Sequence, residues 1–312
     1  MQFDCTIIGD VFWDIIVQVT GGQRHLFTGG TSYCDFAKTT PGGSGNVAVG
    51  LSLLEGKVAF VGKAGDDFWG RLYMQDLVRK GVVSRMFFDK KFPTGLILAF
   101  IENGKERSFL VYRGANDKLS IDEIEGINDL VKTSKYVYFS GCSLVNEPQR
   151  SAILRAIELA RRSKVRTVFD PGAYNLVKFN QEFYVELLNL SDVFTPNLKE
   201  ALVITNTTNV EDAILKLRNK IPLVALKCGK NGSTLISGKS IIKTSSFKVR
   251  CLDSTGAGDA FTAALIYGLA RGLSLETIGR LANWFAAQVT TRVGPRSFPS
   301  KSSIDQFFED LS

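Results

Sequence analysis

The chain has 312 residues, of which 45% are hydrophobic and 22% charged, and its formal net charge is +7. Such a chain can bury a large core, in one large α/β domain or two smaller ones, and it has no apolar run of about 18 residues that would cross a membrane. The basic residues are scattered, which disfavours a nucleic-acid interface, and a single histidine excludes most zinc centres and Ser-His-Asp hydrolysis. Catalysis must then depend on carboxylates, lysines, arginines and the backbone.

The N-terminal residues show no signal-peptide pattern. The five cysteines are odd in number, widely spaced and never arranged as CxxC. Both features favour a reducing compartment, so we expect a cytoplasmic protein.

An apolar run at residues 5–9 predicts the first buried strand, and Asp14 follows shortly after it. Because the carboxyl ends of parallel strands form the ligand side of an α/β sheet, Asp14 is a candidate substrate ligand. An ordinary turn acid is the alternative. Residues 15–40 lack helical periodicity and are rich in threonine, glycine and aromatic residues, which predicts a small β layer that acts as a lid.

Two paired glycines, Gly42 and Gly43, precede Asn46 and a predicted helix at 47–54. The stretch is not a nucleophile elbow of the G-x-S-x-G type, because Asn46 occupies the position of the last glycine. A further strand and helix follow within residues 57–80. This β-α-β order favours a parallel sheet.

Two apolar runs at 94–101 and 107–112 flank the pair Asn103-Gly104. An Asn-Gly pair between two such runs is typical of a tight hairpin turn. We expect this hairpin to complete the lid.

Arg113 follows the hairpin directly. An arginine in this place is a candidate for binding a phosphate or carboxylate on the substrate, and Arg24 and Arg107 could converge on the same point. A solvated surface position is an equally good interpretation of Arg113.

Strands and helices alternate from residue 136 to residue 195, an order typical of a doubly wound sheet. Asn197 and Glu200 come next, three residues apart at the start of a predicted helix. This spacing fits a capping box, in which each side chain accepts a bond from the other residue's backbone N–H.

A strand at 223–226 runs into a glycine-punctuated turn at 227–232. Farther on, the GKS of 238–240 ends like a phosphate-binding P-loop, but that pattern needs a glycine where Ser233 stands. A turn between two short strands is the better interpretation of 238–240.

The most informative stretch is the loop at 253–259, which opens an apolar helix. Gly256, Ala257 and Gly258 would direct backbone N–H groups and the positive end of the helix dipole toward an anion, so that they form an anion hole. Asp259 lies in the first turn beside them, where its carboxylate could accept the proton of an attacking hydroxyl. Capping of the helix by Asp259 is the alternative.

Two of these stretches resemble the signatures of one family. DSTGAGDAF at 253–261 resembles the second signature of the ribokinase-like, or PfkB, family of carbohydrate and nucleoside kinases, and PGGSGN at 41–46 resembles the first. Weaker elements, among them the Asn-x-x-Glu of 197–200, occur in the expected order. The resemblance therefore covers nearly the whole chain, from Gly9 to Gly294.

The resemblance implies a single ribokinase-like domain over residues 1–312. Its fold would be α/β, with an αβα doubly wound, mostly parallel sheet and a small β-sheet lid formed by residues of about 12–40 and 88–114. The implied reaction is phosphoryl transfer from ATP, with Mg²⁺, to a hydroxyl of a small sugar or nucleoside, a primary hydroxyl being expected. Asp259 would be the general base. The resemblance also allows a homodimer through the lid and a bound K⁺.

The resemblance further assigns roles to individual residues. Glu200 would hold Mg²⁺ through water, and Asp253, with Ser297, would contribute to a monovalent-cation site. The residues it places at the substrate are Asp14, Gly42, Gly43 and Asn46. The residues it places at the nucleotide are Asn197, Lys227, Gly229, Gly232, Thr255 and Asn283.

Three alternatives stay open beside a neutral sugar or nucleoside as substrate. A kinase for an anionic sugar, either a sugar phosphate or a keto-deoxy sugar acid, would use arginines of the lid. A non-catalytic sugar- or nucleotide-binding regulator would keep the fold but normally lose the base, whereas Asp259 is present. A nucleic-acid-binding protein would use the net positive charge, but it would leave both glycine signatures unexplained.

Overall fold

The computed structural model describes residues 2–19, 33–34, 36–102 and 106–310, and at residues 19, 101–102 and 106–107 it describes the backbone alone. The strands in this part of the chain are β1 (Phe3–Ile8), β2 (Val11–Val19), β3 (Phe36–Gly43), β4 (Val58–Gly65), β5 (Val83–Asp89), β6 (Gly95–Glu102), β7 (Glu106–Tyr112), β8 (Ser134–Ser140), β9 (Arg166–Asp170), β10 (Val193–Phe194), β11 (Leu223–Lys227), β12 (Ser233–Ser237) and β13 (Ser240–Thr244). The helices are α1 (Gly45–Leu53), α2 (Phe68–Arg79), α3 (Ile121–Glu125), α4 (Asn128–Lys132), α5 (Gln149–Arg162), α6 (Tyr174–Phe179), α7 (Gln181–Leu188), α8 (Leu198–Thr205), α9 (Val210–Arg218), α10 (Ala257–Arg271), α11 (Leu275–Val289) and α12 (Lys301–Glu309).

Nine strands form the larger sheet, in the order β13-β12-β11-β10-β9-β8-β1-β4-β5. Neighbouring strands are parallel from β11 to β5, and β12 and β13 add an antiparallel edge. The predicted doubly wound, mostly parallel sheet is therefore confirmed. Strand β5 has no counterpart among the predicted strands, because its residues at the sheet edge are only partly buried and form no continuous apolar run.

Both faces of the larger sheet are covered by helices. In β4, Val58 and Phe60 pack into one hydrophobic cluster with residues of α1, α2, α10, α11 and α12. The alternate residues Ala59 and Val61 pack into a second cluster with α3 to α9. Because the central strands are buried on both faces, they appear in the sequence as continuous apolar runs rather than as an alternating pattern. No helix among the described residues is long and apolar enough to cross a bilayer.

Four strands form a separate smaller sheet, in the order β3-β2-β6-β7. Strands β2 and β6 are parallel, and β3 and β7 pair antiparallel on the outside. The strands of this sheet lie largely within the two segments that are predicted to form the lid. Its second segment begins at Gly95, because Phe88 and Asp89, the start of the predicted lid segment 88–114, still belong to β5 of the larger sheet. The predicted Asn103-Gly104 turn lies outside the described residues.

Candidate active site

A cleft of about 1130 Å³ lies at the carboxyl ends of the parallel strands. Asp10 follows β1, Asp170 ends β9 and Lys227 ends β11, and all three side chains line the cleft. Phe12 and Ile97 of the smaller sheet line it as well. We call the part around Asn197, Lys227 and the 253–259 loop the loop end. The part around Asp10, Phe12 and Ile97 is the lid end.

The glycine loop adopts the shape that an anion site requires. Gly256 has a φ of +81°, and a Cβ at this position would lie only 2.3 Å from the carbonyl oxygen of Pro295, so that no other residue fits. Helix α10 begins at the next residue, and Gly256, Ala257 and Gly258 all line the cleft. The positive end of the helix dipole and the first N–H groups therefore face the cleft, as an anion hole needs.

Asp253 stabilises this loop through two hydrogen bonds to backbone N–H groups. Its Oδ1 accepts a bond from the backbone N–H of Thr255 at 2.7 Å, and its Oδ2 accepts one from the N–H of Gly294 at 2.8 Å. Asp253 is buried. The Ser297 hydroxyl, expected beside it, donates instead to the Val293 carbonyl at 3.1 Å. Asp253 thus joins the glycine loop to the segment that follows α11.

Asp259 lies on the cleft wall in the first turn of α10. Its Oδ2 accepts a bond from Asn46 Nδ2 at 2.9 Å. Burial raises the pKa of Asp259 to about 6, and Asp170 raises it further, whereas the bond from Asn46 and the charges of Lys227 and Arg296 act against this increase. At neutral pH the group is ionised but more basic than an ordinary aspartate, as a general base requires. The N-cap of α10 is Gly256, so Asp259 is not its N-cap residue.

Asp14 is buried in β2, behind the cleft wall. A Cβ on Gly42 would lie 2.3 Å from Asp14 Oδ1, so Gly42 leaves the space that this carboxylate occupies. Among the described residues Asp14 Oδ1 has no hydrogen-bond partner. Burial raises the pKa of Asp14 to about 7, Arg296 opposes the increase and Asp259 adds to it. A buried acceptor without a partner costs free energy, and a substrate hydroxyl would supply the missing bond.

Asn46 and Gly43 also belong to this region. Asn46 is buried at the start of α1 and reaches Asp259, but it lies behind the residues that form the cleft wall in the described part of the chain. Gly43 lies on the wall with a φ of +65°, and a Cβ there would lie 2.5 Å from the Asp10 carbonyl oxygen. Gly42 and Gly43 of the PGGSGN motif therefore let the backbone pass close to Asp14 and Asp10.

The structure gives Arg113 a place that differs from the expected one. Its Nη2 donates to Asp10 Oδ1 at 2.9 Å and to Gln149 Oε1 at 2.6 Å, and its Nη1 donates to the Cys142 carbonyl at 2.9 Å. Its Nε donates to Asp117 Oδ1 at 2.5 Å. All three guanidinium nitrogens are thus engaged by the protein itself, and Arg113 is a largely buried residue that is not among those lining the cleft in the described part of the chain. Arg24, and the side chain of Arg107, lie outside the described residues.

Asp170 is a cleft residue that the sequence analysis missed. Its Oδ2 accepts bonds from Lys227 Nζ at 2.7 Å, Thr195 Oγ1 at 3.0 Å and Thr262 Oγ1 at 3.1 Å. A signal was present, because Asp170 ends a predicted strand just as Asp10 and Asp14 follow one. Lys227 Nζ lies 3.6 Å from where a Cβ of Gly258 would be, so its ammonium adjoins the anion hole.

Lys227 and Glu200 are electrostatically linked to Asp170. Burial alone would lower the pKa of Lys227, but the negative charges of Asp170 and Glu200 raise it. Burial raises the pKa of Glu200, and Lys227 opposes that increase. The lysine therefore stays charged next to the anion hole, where it can hold a phosphate.

Asn197 and Glu200 form the predicted capping box. Asn197 N donates to Glu200 Oε2 at 2.8 Å, and Glu200 N donates to Asn197 Oδ1 at 3.0 Å. Both residues also line the cleft, and Glu200 is buried. The capping box thus orients Glu200 at the cleft wall. Glu200 can therefore cap the helix and also be a metal ligand.

The donor set at the loop end suits Mg²⁺. No group of three or more His, Cys, Asp or Glu side chains comes together in the described part of the chain. A Mg²⁺ ion that shares phosphate oxygens keeps several waters and needs only one or two protein carboxylates. Glu200 and Asp170 on the cleft wall meet that need.

The nucleotide residues predicted from the family resemblance lie mostly together. Gly229 and Gly232 line the cleft, and Gly232 has a φ of +90°, with a Cβ position only 2.0 Å from the Thr244 carbonyl oxygen. Asn283 lines it too and donates to that same carbonyl at 3.0 Å. Thr255 does not line the cleft; its backbone bond to Asp253 shapes the loop instead. The stretch 245–249 also contributes to the wall and had no recognisable signal in the sequence.

Arg296 is a second residue that the sequence analysis missed. Its Nε donates to Asn46 Oδ1 at 2.9 Å, and its guanidinium forms an ion pair with Asp76. The guanidinium carbon also lies 5.1 Å from the centre of the Tyr73 ring. An isolated arginine after Pro295 carries no sequence pattern that would reveal these contacts.

Comparisons with known proteins agree with this architecture. The crystal structure of adenosine kinase from Sinorhizobium meliloti superimposes with a TM-score of 0.87 and 25% sequence identity, covering 99% of this chain and all of that one. Fructokinase-1 of Zea mays is 31% identical over 88% of this chain and 90% of its own length. The 5-dehydro-2-deoxygluconokinase of Bacillus licheniformis is 29% identical over 98% of this chain and 95% of its own.

The fold is thus the ribokinase-like α/β fold with a separate small sheet, and the class of protein is a phosphotransferase that uses an alcohol group as acceptor. The model of the pfkB family carbohydrate kinases matches residues 5–302. The chain therefore belongs to the pfkB family of carbohydrate kinases.

Proposed function

We propose that this enzyme transfers the γ-phosphoryl group of ATP to a hydroxyl, primary in the expected case, of a neutral sugar, with Asp259 as the general base. The observation that carries the proposal is the position of Asp259. Its carboxylate lies on the cleft wall, next to the N-terminus of α10, with a pKa raised to about 6 by burial. A base and an anion hole side by side are what phosphoryl transfer to a hydroxyl requires.

In the reaction, Asp259 accepts the proton of the acceptor hydroxyl as its oxygen bonds to the γ-phosphorus. The bond from that phosphorus to the bridging oxygen of ADP breaks, and ADP leaves opposite the attacking oxygen. The N–H groups at Gly256–Asp259 and the ammonium of Lys227 stabilise the charge of the phosphoryl group during transfer. Glu200 would hold a hydrated Mg²⁺, which neutralises charge on the phosphates when it is bound. Closure of the lid would exclude water.

The charges at the lid end favour a neutral acceptor over an anionic one. Asp10 and Asp259 line the cleft and Asp14 is buried behind its wall, while Arg113 is already neutralised by Asp10 and Asp117. A phosphate or carboxylate on the substrate would meet these carboxylates, and Arg113, engaged by the protein itself, would not offset them. Sugar hydroxyls, in contrast, can donate to those carboxylate oxygens.

The test is an ADP-release assay with five acceptors: fructose, ribose, adenosine, a keto-deoxy sugar acid and a sugar phosphate. We expect the highest kcat/KM with one of the neutral sugars, and the Asp259→Asn variant controls for contaminating kinases. Turnover confined to the sugar acid or sugar phosphate would reject the neutral-sugar proposal but keep the kinase. Preference for adenosine would make the enzyme a nucleoside kinase.

We also propose a homodimer formed through the lid. Phe109, Leu110, Val111 and Tyr112 of the outer strand β7 are consecutive, yet each is 48 to 59% exposed, so apolar surface faces solvent on both sides of this edge strand. An exposed apolar edge strand is a surface that pairs with another chain. Sedimentation of wild type and Leu110→Glu tests it, with a dimer and a monomer as the respective expectations. The monovalent-cation site beside Asp253 stays a prediction.

A further inference from the structure

Arg296 is largely buried and makes three specific side-chain contacts, although it belongs to no recognised motif. Its side chain is 9% exposed. The ion pair with Asp76 fixes one end of the guanidinium, and the ring of Tyr73 supports its face. With two sides held, Nε points to Asn46 Oδ1 at 2.9 Å.

This contact determines how the Asn46 amide is turned. A guanidinium can only donate hydrogen bonds, so the amide oxygen of Asn46 must face Arg296. The amide nitrogen then faces Asp259 and donates to its Oδ2 at 2.9 Å. If the amide rotated by half a turn, its oxygen would face the carboxylate and its nitrogen would face the cation, and both contacts would be repulsive.

We propose that Arg296 is a positioning residue for Asp259 and acts through Asn46. By fixing the Asn46 amide, it keeps Asp259 Oδ2 engaged and leaves Oδ1 to receive the proton of the acceptor hydroxyl. The inference rests on the proposed function, in which Asp259 is the general base. The contacts from Asp76 through Arg296 and Asn46 to Asp259 join four segments, namely α2, the segment after α11, the start of α1 and the start of α10.

Arg296 also affects the charge state of the base. It lowers the pKa of Asp259 and that of Asp14, in opposition to burial. The ionisable groups that face Asp259 from the surrounding elements are Asp14, Tyr138, Asp170, Lys227 and Arg296. Without Arg296, Lys227 is the one cation left in this group of residues. The pKa of Asp259 should therefore rise, because less positive charge stabilises its ionised form.

The experiment compares Arg296→Gln and Arg296→Lys with a matched control, Arg71→Gln. Arg71 also pairs with an aspartate, Asp66, and lies over an aromatic ring, Phe88 at 5.7 Å, but it is exposed and lies outside the cleft wall. For each variant we would measure kcat, the KM for each substrate, the pH dependence of kcat/KM and the melting temperature.

We expect Arg296→Gln to lower kcat by about tenfold to a hundredfold, the scale of a misplaced catalytic group, with little change in the KM for ATP. The acid limb of its kcat/KM profile should move to higher pH. Arg296→Lys keeps the charge but not the planar fork, so its acid limb should stay near that of wild type while kcat is still reduced. Arg71→Gln should match wild type in all these measurements.

A double-mutant cycle with Asn46→Ala tests the route of the effect. If Arg296 acts through Asn46, the loss in the double variant will be close to that of Asn46→Ala alone. If instead the two substitutions reduce kcat independently, so that the loss in the double variant is the product of the two single losses, the proposal is overturned. So would a lower melting temperature without any change in the acid limb, since that result would show Arg296 to be a packing residue only.

A measurement without turnover separates this inference from the proposed function. The carboxyl titration of Asp259 can be followed by ¹³C NMR, with Asp259→Asn for assignment. A higher midpoint in Arg296→Gln than in wild type supports the positioning role even if no acceptor is phosphorylated. An unchanged midpoint overturns it even if the enzyme proves to be a sugar kinase.

Discussion

The two ends of the cleft are built in different ways. At the loop end several shaping contacts join residues two or three positions apart, as in the capping box of Asn197 and Glu200 and the bond between Asp253 and Thr255. Longer-range bonds, such as those from Gly294 to Asp253 and from Lys227 to Asp170, act beside them. At the lid end the shaping contacts span the chain: Asp10 bonds Arg113 across 103 residues, and Asn46 bonds Arg296 across 250. In the proposed function, phosphate binding would therefore depend more on local backbone shape, and acceptor recognition more on the tertiary fold.

The electrostatics of the two ends differ as well. The loop end offers backbone N–H groups and the ammonium of Lys227, whose pKa is raised by Asp170 and Glu200 against the effect of burial. Asp14 is buried near the lid end and Asp259 lies where the two ends meet, and burial raises their pKa values to about 7 and about 6. One end suits an anion, and the other suits hydroxyl donors and a proton in transit.

The largest expected effect is at Asp259, where the two ends meet. Asp259→Asn should lower kcat by about 10² or more, because the general base is lost while the shape and the anion hole remain. Calorimetric ATP binding and the melting temperature are the controls and should change little. Turnover equal to that of wild type would remove Asp259 from its catalytic role.

Arg113 tests whether the lid end is held by its internal network. Arg113→Ala leaves the buried Asp10 without its cation and should lower the free energy of unfolding by about 3–5 kcal/mol, measured by urea unfolding. The kcat/KM ratio between neutral and acidic sugars should be unchanged. If Arg113→Ala lowered kcat/KM for the acidic sugar alone and unfolded as wild type does, Arg113 would be a substrate-binding residue.

The raised pKa of Asp259 predicts a pH dependence of stability. The folded state binds the proton more tightly, with a pKa of about 6 against about 3.9 when unfolded, so this stabilising contribution is present below pH 4 and lost as the pH rises past 6. Asp259→Asn does not titrate. Its stability relative to wild type should therefore increase over this interval by about 1–2 kcal/mol, after a reduction for partial exposure.

Thermal unfolding of both proteins from pH 4 to pH 8 measures this difference. Asp67→Asn is a control with the opposite sign, because bonds from Thr94 and Gly70 lower the pKa of Asp67 although burial acts to raise it. A difference between wild type and Asp259→Asn that stays constant with pH would show that the pKa of Asp259 is not raised.

The smallest effect is expected at Glu200, on the loop end. Glu200→Gln should need several-fold more Mg²⁺ for half-maximal rate, while the capping box is kept because glutamine can also complete it. Glu123→Gln is the matched control: Glu123 completes a capping box with Ser120 but lies away from the cleft wall. If Glu200→Gln had a lower melting temperature than wild type but the same Mg²⁺ dependence, Glu200 would be a helix cap and not a metal ligand.

The same contrast explains how much could be predicted from the sequence. The parallel sheet and the loop-end motifs were recognisable, because buried strands are continuous apolar runs and because caps and glycine loops depend on neighbouring residues. The role of Arg113 could not be predicted, since its partners are Asp10 after β1, Gln149 of α5 and residues between them in the chain. Arg296 had no local signal at all, and its function depends on four segments that only the fold brings together.

The four residues 293–296 have a consequence for how such enzymes can be re-engineered. Lys38 of the lid donates to the Val293 carbonyl at 2.7 Å, Gly294 bonds Asp253, Pro295 lies against Gly256, and Arg296 reaches Asn46. One short stretch thus sets the spacing between the lid, the glycine loop and the base. A chimaera that takes the lid strands of a relative would therefore have to take this stretch with them, and a one-residue insertion here would uncouple parts that are far apart in the chain.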